Sequence, residues 1–158
     1  MVIKTIKNST NNLIRVRFTL ILLTAVLLLP FMGFSYSGAK DAPGVSATPN
    51  KKSYSPGESG VLTLSFKTGS KVKIPKDPEV IVSLTTEEVY GQGLQDYSGG
   101  EGDYISNSKV KYNFTVPDGA ASGSTITISG SVKFGYCTTT DGVCKIGNRD
   151  FSAKIKVK

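Results

Sequence analysis

The chain has 158 residues, with 19 Lys or Arg against 12 Asp or Glu, two Cys, and neither His nor Trp. Without His it cannot build a Ser-His or Cys-His nucleophile or a His-containing zinc site, and two cysteines alone do not complete a tetrahedral zinc shell. Hydrolase and metalloenzyme readings therefore start far behind, and neither a cofactor nor a metal is expected.

Lys4, Lys7, Arg15 and Arg17 give a positive, acid-free start, followed by the apolar run FTLILLTAVLLLPFMGF (Phe18–Phe34) and the small residues Ser37-Gly38-Ala39. This is the three-part layout of a secretory signal. The run sits at the lower limit for crossing a bilayer, about 17 residues, so an uncleaved membrane anchor is the rival reading. Pro30 and Gly33 break a helix just before the small residues, which favours cleavage. Residues 1–39 are read as a signal peptide or anchor helix, and residues 40–158 as exported, to a periplasm or an equivalent compartment. With the four basic residues of the leader set aside, 15 remain against 12 acidic ones, a net charge of +3. Lys109 and Lys111, and Lys154, Lys156 and Lys158, fall at alternate positions, the pattern of a solvated sheet face rather than a nucleic-acid-binding patch.

From residue 40 onward the pattern is of strands and turns. Residues 40–52 form a linker and a first strand near Val45–Thr48, and residues 53–158 form the main domain. After the Pro-Gly turn in SYSPGESG (Ser53–Gly60), Leu62, Leu64 and Phe66 alternate with Thr63 and Ser65. KVKIP is a short edge piece closed by Pro75, and Val80–Leu84 reads as a buried strand. KVKYNFTVP places Val110, Tyr112, Phe114 and Val116 on one face. TITISGSVKF does the same with Ile126, Ile128, Val132 and Phe134, and the last strand with Phe151, Ala153, Ile155 and Val157. About seven short strands at this spacing predict an all-β, immunoglobulin-like antiparallel β-sandwich preceded by the signal or anchor helix, a small barrel being the alternative. Residues 87–104, EEVYGQGLQDYSGGEGDY, break the rhythm. A segment this long and Gly-rich is either a surface loop or a functional lid, and Tyr90 and Tyr97 speak for a lid because they need an apolar surface to rest on.

Both cysteines lie in YCTTTDGVCK (Tyr136–Lys145). A turn centred between Thr140 and Asp141 would bring Cys137 opposite Cys144, with Gly142 taking a positive φ, at a separation that a disulfide accepts. In an exported domain such a pair is normally oxidised. By strand parity Cys137 shares a face with Gly135, Lys133 and Ser131, and Cys144 with Ser152 and Lys154, so neither belongs to the core set. Closing a ring of about eight residues stabilises by roughly 2.5 kcal/mol in the chain-entropy view, near the low end for disulfides. Two uses remain open on this geometry, a structural staple and a redox-active dithiol.

Three stretches carry a resemblance: GSVKFGYC leading into the first cysteine, DGVC (Asp141–Cys144) leading into the second, and EEVYG (Glu87–Gly91) upstream. Together, from about Ser53 to Lys158, the chain resembles the N-terminal periplasmic domain of the DsbD thiol–disulfide interchange protein family, an immunoglobulin-like sandwich. The resemblance implies that Cys137 and Cys144 are the working pair of an electron-transfer module, a protein-disulfide reductase in the broad sense. Cys144 would exchange with the partner's sulfur, and Cys137 would resolve the mixed disulfide. Its partners would be thioredoxin-like oxidoreductase domains, fed by a membrane electron carrier. Val89, Tyr90 and Gly91 would cap the pair, Glu87 and Glu88 would lie beside it and raise its thiol pKa, and Phe134 and Tyr136 would line it. The cysteine spacing is one residue longer than usual in that family, Lys145-Ile146-Gly147-Asn148 stand where prolines are common, and the chain is expected to work as a stand-alone module. The alternative function is a non-catalytic envelope binding or adhesion sandwich with a structural hairpin disulfide.

Overall fold

The computed structural model describes residues 42–99 and 102–158. The predicted leader, residues 1–39, lies outside the described residues. Among those described there are nine strands and one short 3-10 turn, Ser106–Ser108. In chain order the strands are β1 (Gly44–Pro49), β2 (Ser53–Tyr54), β3 (Ser59–Lys67), β4 (Val72–Lys73), β5 (Ile81–Leu84), β6 (Tyr90–Leu94), β7 (Lys109–Thr115), β8 (Thr125–Thr138) and β9 (Cys144–Val157).

They form two sheets, one ordered β1-β3-β7-β6 and the other β2-β9-β8-β4, with β5 also pairing with β8. Period-two alternation in the sequence determines which face of each strand is buried. Leu62, Leu64, Phe66, Val110, Tyr112 and Phe114 from the first sheet meet Ile126, Ile128, Val132, Phe134, Phe151 and Ile155 from the second in one continuous apolar core. Cross-sheet aromatic contacts mark the interface: Phe66 and Phe134 have ring centroids 4.6 Å apart, and Tyr54 packs edge-on to Phe114 at 5.4 Å. Such pairs contribute about 0.5–1.5 kcal/mol beyond the area they bury. The described residues thus form an all-β sandwich, with the predicted inward sets of the β3, β7, β8 and β9 stretches buried as expected.

Three local expectations are corrected. Val80–Leu84 is not a buried strand: β5 pairs with β8 with Ile81 and Ser83 exposed and Val82 and Leu84 half-buried, and only Val80, just before it, is buried. Residues 87–104 are not one loop, because Tyr90–Leu94 forms β6, the edge strand beside β7, with a register shift between Gly91 and Gly93. Gly91 lies close under Tyr112: a Cβ there would come within 2.3 Å of the Tyr112 hydroxyl oxygen, so a larger residue would displace that ring. The sheets are also not wholly antiparallel, since β2 runs parallel to the end of β9, pairing Ser53 with Lys156 and Tyr54 with Val157. The short SY stretch has no alternation to reveal it. Tyr54 docks because its ring is fully buried and its hydroxyl donates to Asn50 Oδ1 at 2.7 Å.

Candidate functional site

The long β8–β9 hairpin carries both cysteines at its tip. Its register runs unbroken from Thr125↔Lys156 to Cys137↔Cys144, so the parity argument applies without a phase shift. Cys137 and Cys144 are disulfide-bonded, with Cα atoms 4.0 Å apart, and they join neighbouring strands of one sheet rather than the two sheets. Beyond them the chain turns through Thr138–Val143. Thr138 N donates to Val143 O at 2.9 Å, Gly142 N donates to Thr138 O at 3.0 Å, and Gly142 takes φ 69°, as the DG pair predicts.

The Asp141 carboxylate binds the inside of this turn. Its Oδ1 accepts from the Thr138 hydroxyl and, at 3.1 Å, from Val143 N. These hydrogen bonds, the Thr138 one first, hold the Asp141 carboxyl below its ordinary pKa. Thr138 follows Cys137 and Val143 precedes Cys144, so one carboxylate oxygen bridges the two residues that flank the sulfurs.

The two cysteines differ in environment. Cys144 is exposed, between exposed Val143 and Lys145, whereas Cys137 retains only 5% of its surface yet lies outside the apolar core cluster. Its cover comes from the arm Lys71–Pro78. Val72 and Lys73 of β4 pair with Thr138 and Cys137, and Thr139 N donates to Lys71 O at 2.8 Å. Two residues before Cys137 on the same face, a Cβ on Gly135 would meet Pro78 Cδ at 3.0 Å and Pro75 Cγ at 3.1 Å, so both proline rings lie against the outer face there. The arm is fastened in turn by the 102–105 segment. Ile105 N donates to Ile74 O, Lys76 N donates to Asp103 O, and the Lys73 ammonium lies 5.1 Å from the Tyr104 ring centroid.

Among the residues expected to cap or line the pair, the structure brings some close and separates others. Phe134 and Tyr136 are near in sequence but occupy the opposite, inward face, where their rings stand 6.3 Å apart within the core. The Tyr136 hydroxyl is buried with no hydrogen-bond partner among the described residues. The Glu87–Gly91 segment is at the other end of the sandwich. Thr85 N and Thr86 N donate to Ser129 O, and Thr127 N donates to Glu88 Oε2 at 3.4 Å. Thr127 stands ten residues along β8 from Cys137, about 30 Å at the usual strand rise. Val89 is buried in the core, and Tyr90, 62% exposed, pairs with Thr115 on β7, away from the cysteines. In this conformation the arm carrying β4 runs beside Cys137, and the acidic segment lies away from the pair. Tyr97 does find a resting place, its hydroxyl accepting from Val80 N at 2.7 Å.

Sequence reasoning read the arm only as an edge piece. The available signal was Pro75 and Pro78 in KIPKDP, which cannot sit inside a sheet and mark a rigid segment crossing a strand.

No protein-family model matches the chain, and no curated protein matches it. Among solved structures it is similar to the cohesin module of a family 33 glycoside hydrolase from Clostridium perfringens, with a TM-score of 0.44 and 9% identity over 74% of this chain and 97% of that one.

Proposed function

We propose that the protein is an exported thiol–disulfide exchange module, an immunoglobulin-like sandwich related to the N-terminal domain of the DsbD family, which passes electron pairs through Cys137 and Cys144. The observation that carries this reading is the unequal burial of the pair: an exposed Cys144 joined to a buried Cys137, outside the apolar core cluster and at the tip of a hairpin. Attack on a disulfide needs an approachable sulfur and a leaving thiolate, and this arrangement gives each cysteine one role. A thiolate of a reduced thioredoxin-like donor attacks Cys144 Sγ, the Cys137–Cys144 bond breaks, and Cys137 leaves as a thiolate that takes up a proton. The donor's second thiol then attacks the mixed disulfide, releasing the Cys137/Cys144 dithiol and the donor disulfide, so two electrons have moved. In the forward direction the dithiol reduces a client disulfide by the same steps, with Cys144 attacking and Cys137 resolving.

Trapping tests this. With Cys137→Ser, a mixed disulfide on Cys144 has no resolving thiol within the chain, and it accumulates when the donor's second cysteine is replaced as well. Cys137→Ser carrying glutathione on Cys144 should, when mixed with a reduced thioredoxin-like protein whose own second cysteine is replaced, release glutathione and yield that covalent adduct. Wild-type protein should be reduced by one equivalent of the intact reduced donor, whose dithiol becomes a disulfide. No adduct and no reduction, with a pair potential below about −300 mV, would identify a structural bond.

The second reading, a binding or adhesion sandwich with a structural disulfide, draws on a different observation. The acidic cap segment stands about 30 Å from the pair at ordinary strand rise, leaving Glu87 and Glu88 no part in the sulfur chemistry. Changing both cysteines to Ser distinguishes the two, since binding survives that change and exchange does not.

A further inference from the structure

The turn that closes the hairpin contains a second, non-covalent link running beside the disulfide. Asp141 Oδ1 accepts from the hydroxyl of Thr138, the residue after Cys137, and from the backbone N–H of Val143, the residue before Cys144. Around it, Thr138 N donates to Val143 O at 2.9 Å, Gly142 N donates to Thr138 O at 3.0 Å, and the Thr138 hydroxyl lies 3.2 Å from Val143 O. None of these bonds involves a sulfur atom. They remain available when the disulfide is open.

We propose that Asp141 is a positioning residue that holds the tip of the hairpin shut in the dithiol state, keeping Cys137 opposite Cys144 and so raising the equilibrium constant for re-forming their bond. The reasoning is one of effective concentration. Two thiols on splayed strands search a large volume before meeting, whereas two thiols fixed at one rung of a ladder do not. Loss of the carboxylate leaves Val143 N without its acceptor and the Thr138 hydroxyl with Val143 O alone, in an exposed turn where water takes the vacated place and the strand ends fray. The functional meaning rests on the exchange reading above: a donor module with a closed dithiol surrenders its electrons readily, because ring closure drives resolution of the mixed disulfide with the client.

The test equilibrates the purified protein with mixtures of reduced and oxidised glutathione and counts free thiols after alkylation. Each dithiol that closes converts one oxidised glutathione to two reduced ones, through a mixed disulfide on Cys144 that Cys137 displaces. Asp141→Ala should lower the closing constant about tenfold, equivalent to a potential about 30 mV less negative. Asp141→Asn keeps the acceptor oxygen and should stay within about threefold of wild type, and Thr138→Ala, lacking one donor, should fall between. Thermal unfolding of each dithiol form shows that the comparison is between folded proteins, and Asp141→Asn with Thr138→Ala carries the test if Asp141→Ala unfolds. A closing constant for Asp141→Ala within about twofold of wild type, or an Asn variant as low as Ala, would overturn the inference. The exchange reading is tested apart from it by reduction with thioredoxin. An ordered glutathione series without thioredoxin exchange keeps the clamp and removes the proposed function, whereas exchange with a flat series removes only the clamp.

Discussion

Cys137 and Cys144 face each other across the last rung of the β8–β9 ladder, yet the first is covered and the second faces solvent. The difference does not arise from the hairpin, whose two strands present both residues to the same face. It arises from the Lys71–Pro78 arm, which pairs with the Cys137 side alone, through Val72↔Thr138 and Lys73↔Cys137. A sheet edge that is closed on one strand and open on the other makes two chemically identical thiols unequal.

That inequality predicts an order of modification. In the folded dithiol form, a bulky maleimide should label Cys144 at least about tenfold faster than Cys137, because attack requires access as well as thiolate. The single variants Cys137→Ser and Cys144→Ser, each carrying one thiol, allow the rates to be read separately by mass. Equal rates would mean that the arm does not shield Cys137 in solution.

A second expectation separates packing from chemistry at Phe134 and Tyr136. Phe134 is buried against Phe66 and Tyr136, so Phe134→Ala should destabilise the fold by about 3–5 kcal/mol. Tyr136→Phe should be neutral or slightly stabilising, by up to about 1 kcal/mol, since it removes a buried hydroxyl that has no partner among the described residues. Urea unfolding of the oxidised proteins measures both. A loss above about 1 kcal/mol in Tyr136→Phe would show that the hydroxyl is satisfied.

Much of this arrangement was legible in the residues, and the reason is physical. Alternation reports burial directly wherever one face of a strand meets the core, so Leu62, Leu64 and Phe66 or Ile126 and Ile128 could be placed from spacing alone. The hairpin at Cys137 and Cys144 was legible because Asp141-Gly142 encodes the turn and parity follows from it. What spacing does not encode is which outer face another segment crosses. Cys137 has the parity of a solvated residue yet is buried, on a face where Pro75 and Pro78 lie against Gly135 and beside a strand edge that Lys73 pairs, a long-range event without periodicity. Likewise β6 was missed because YGQGL gains its strand from pairing with β7 and not from its own composition, which is poor in strand formers.

The acid limb of the stability curve should contain a contribution from the β2–β3 turn. Lys51 Nζ lies 2.5 Å from Glu58 Oε1, and Ser55 N donates to Glu58 Oε2 at 2.8 Å. These partners, Lys51 first, hold the Glu58 carboxyl below its ordinary pKa, and Glu58 in turn raises that of Lys51. A depressed carboxyl contributes stability that is fully present above the unfolded value, about 4.3, and is lost as pH falls through the folded value. A raised ammonium contributes stability that is present below about 10.4 and is lost as pH rises through the folded value. Lys51 is exposed and Glu58 half-buried at the surface, so the effect is small and weakens with salt. Glu58→Gln should therefore flatten the fall in melting temperature between about pH 5 and about pH 3 relative to wild type. Asp96 and Asp141, also held low by hydrogen bonds, remain in both proteins and cancel in the comparison. Parallel curves would remove Glu58 from the account.

The sharpest expectation concerns Glu87 and Glu88. The family resemblance places an acidic cap over the cysteine pair, where nearby carboxylates would raise the thiol pKa and slow attack. Here Glu88 accepts from Thr127 N, ten residues along β8 from Cys137, so the charges stand about 30 Å from the sulfurs. The screening length at physiological ionic strength is about 8 Å, so no measurable field from Glu87 or Glu88 reaches the pair. Glu87→Gln and Glu88→Gln, alone or together, should leave the Cys144 thiol pKa and the rate of reduction by thioredoxin unchanged within about twofold. Opening the Lys71–Pro78 arm should instead speed attack at Cys137, because that arm is its cover. The thiol pKa is read from the pH dependence of alkylation of the dithiol form, and the exchange rate from stopped-flow mixing. If removal of the two carboxylates accelerates exchange by tenfold or so, the Glu87–Gly91 segment must visit the cysteine tip in a second conformation, and the proline arm would then be one of two covers rather than the one that governs access.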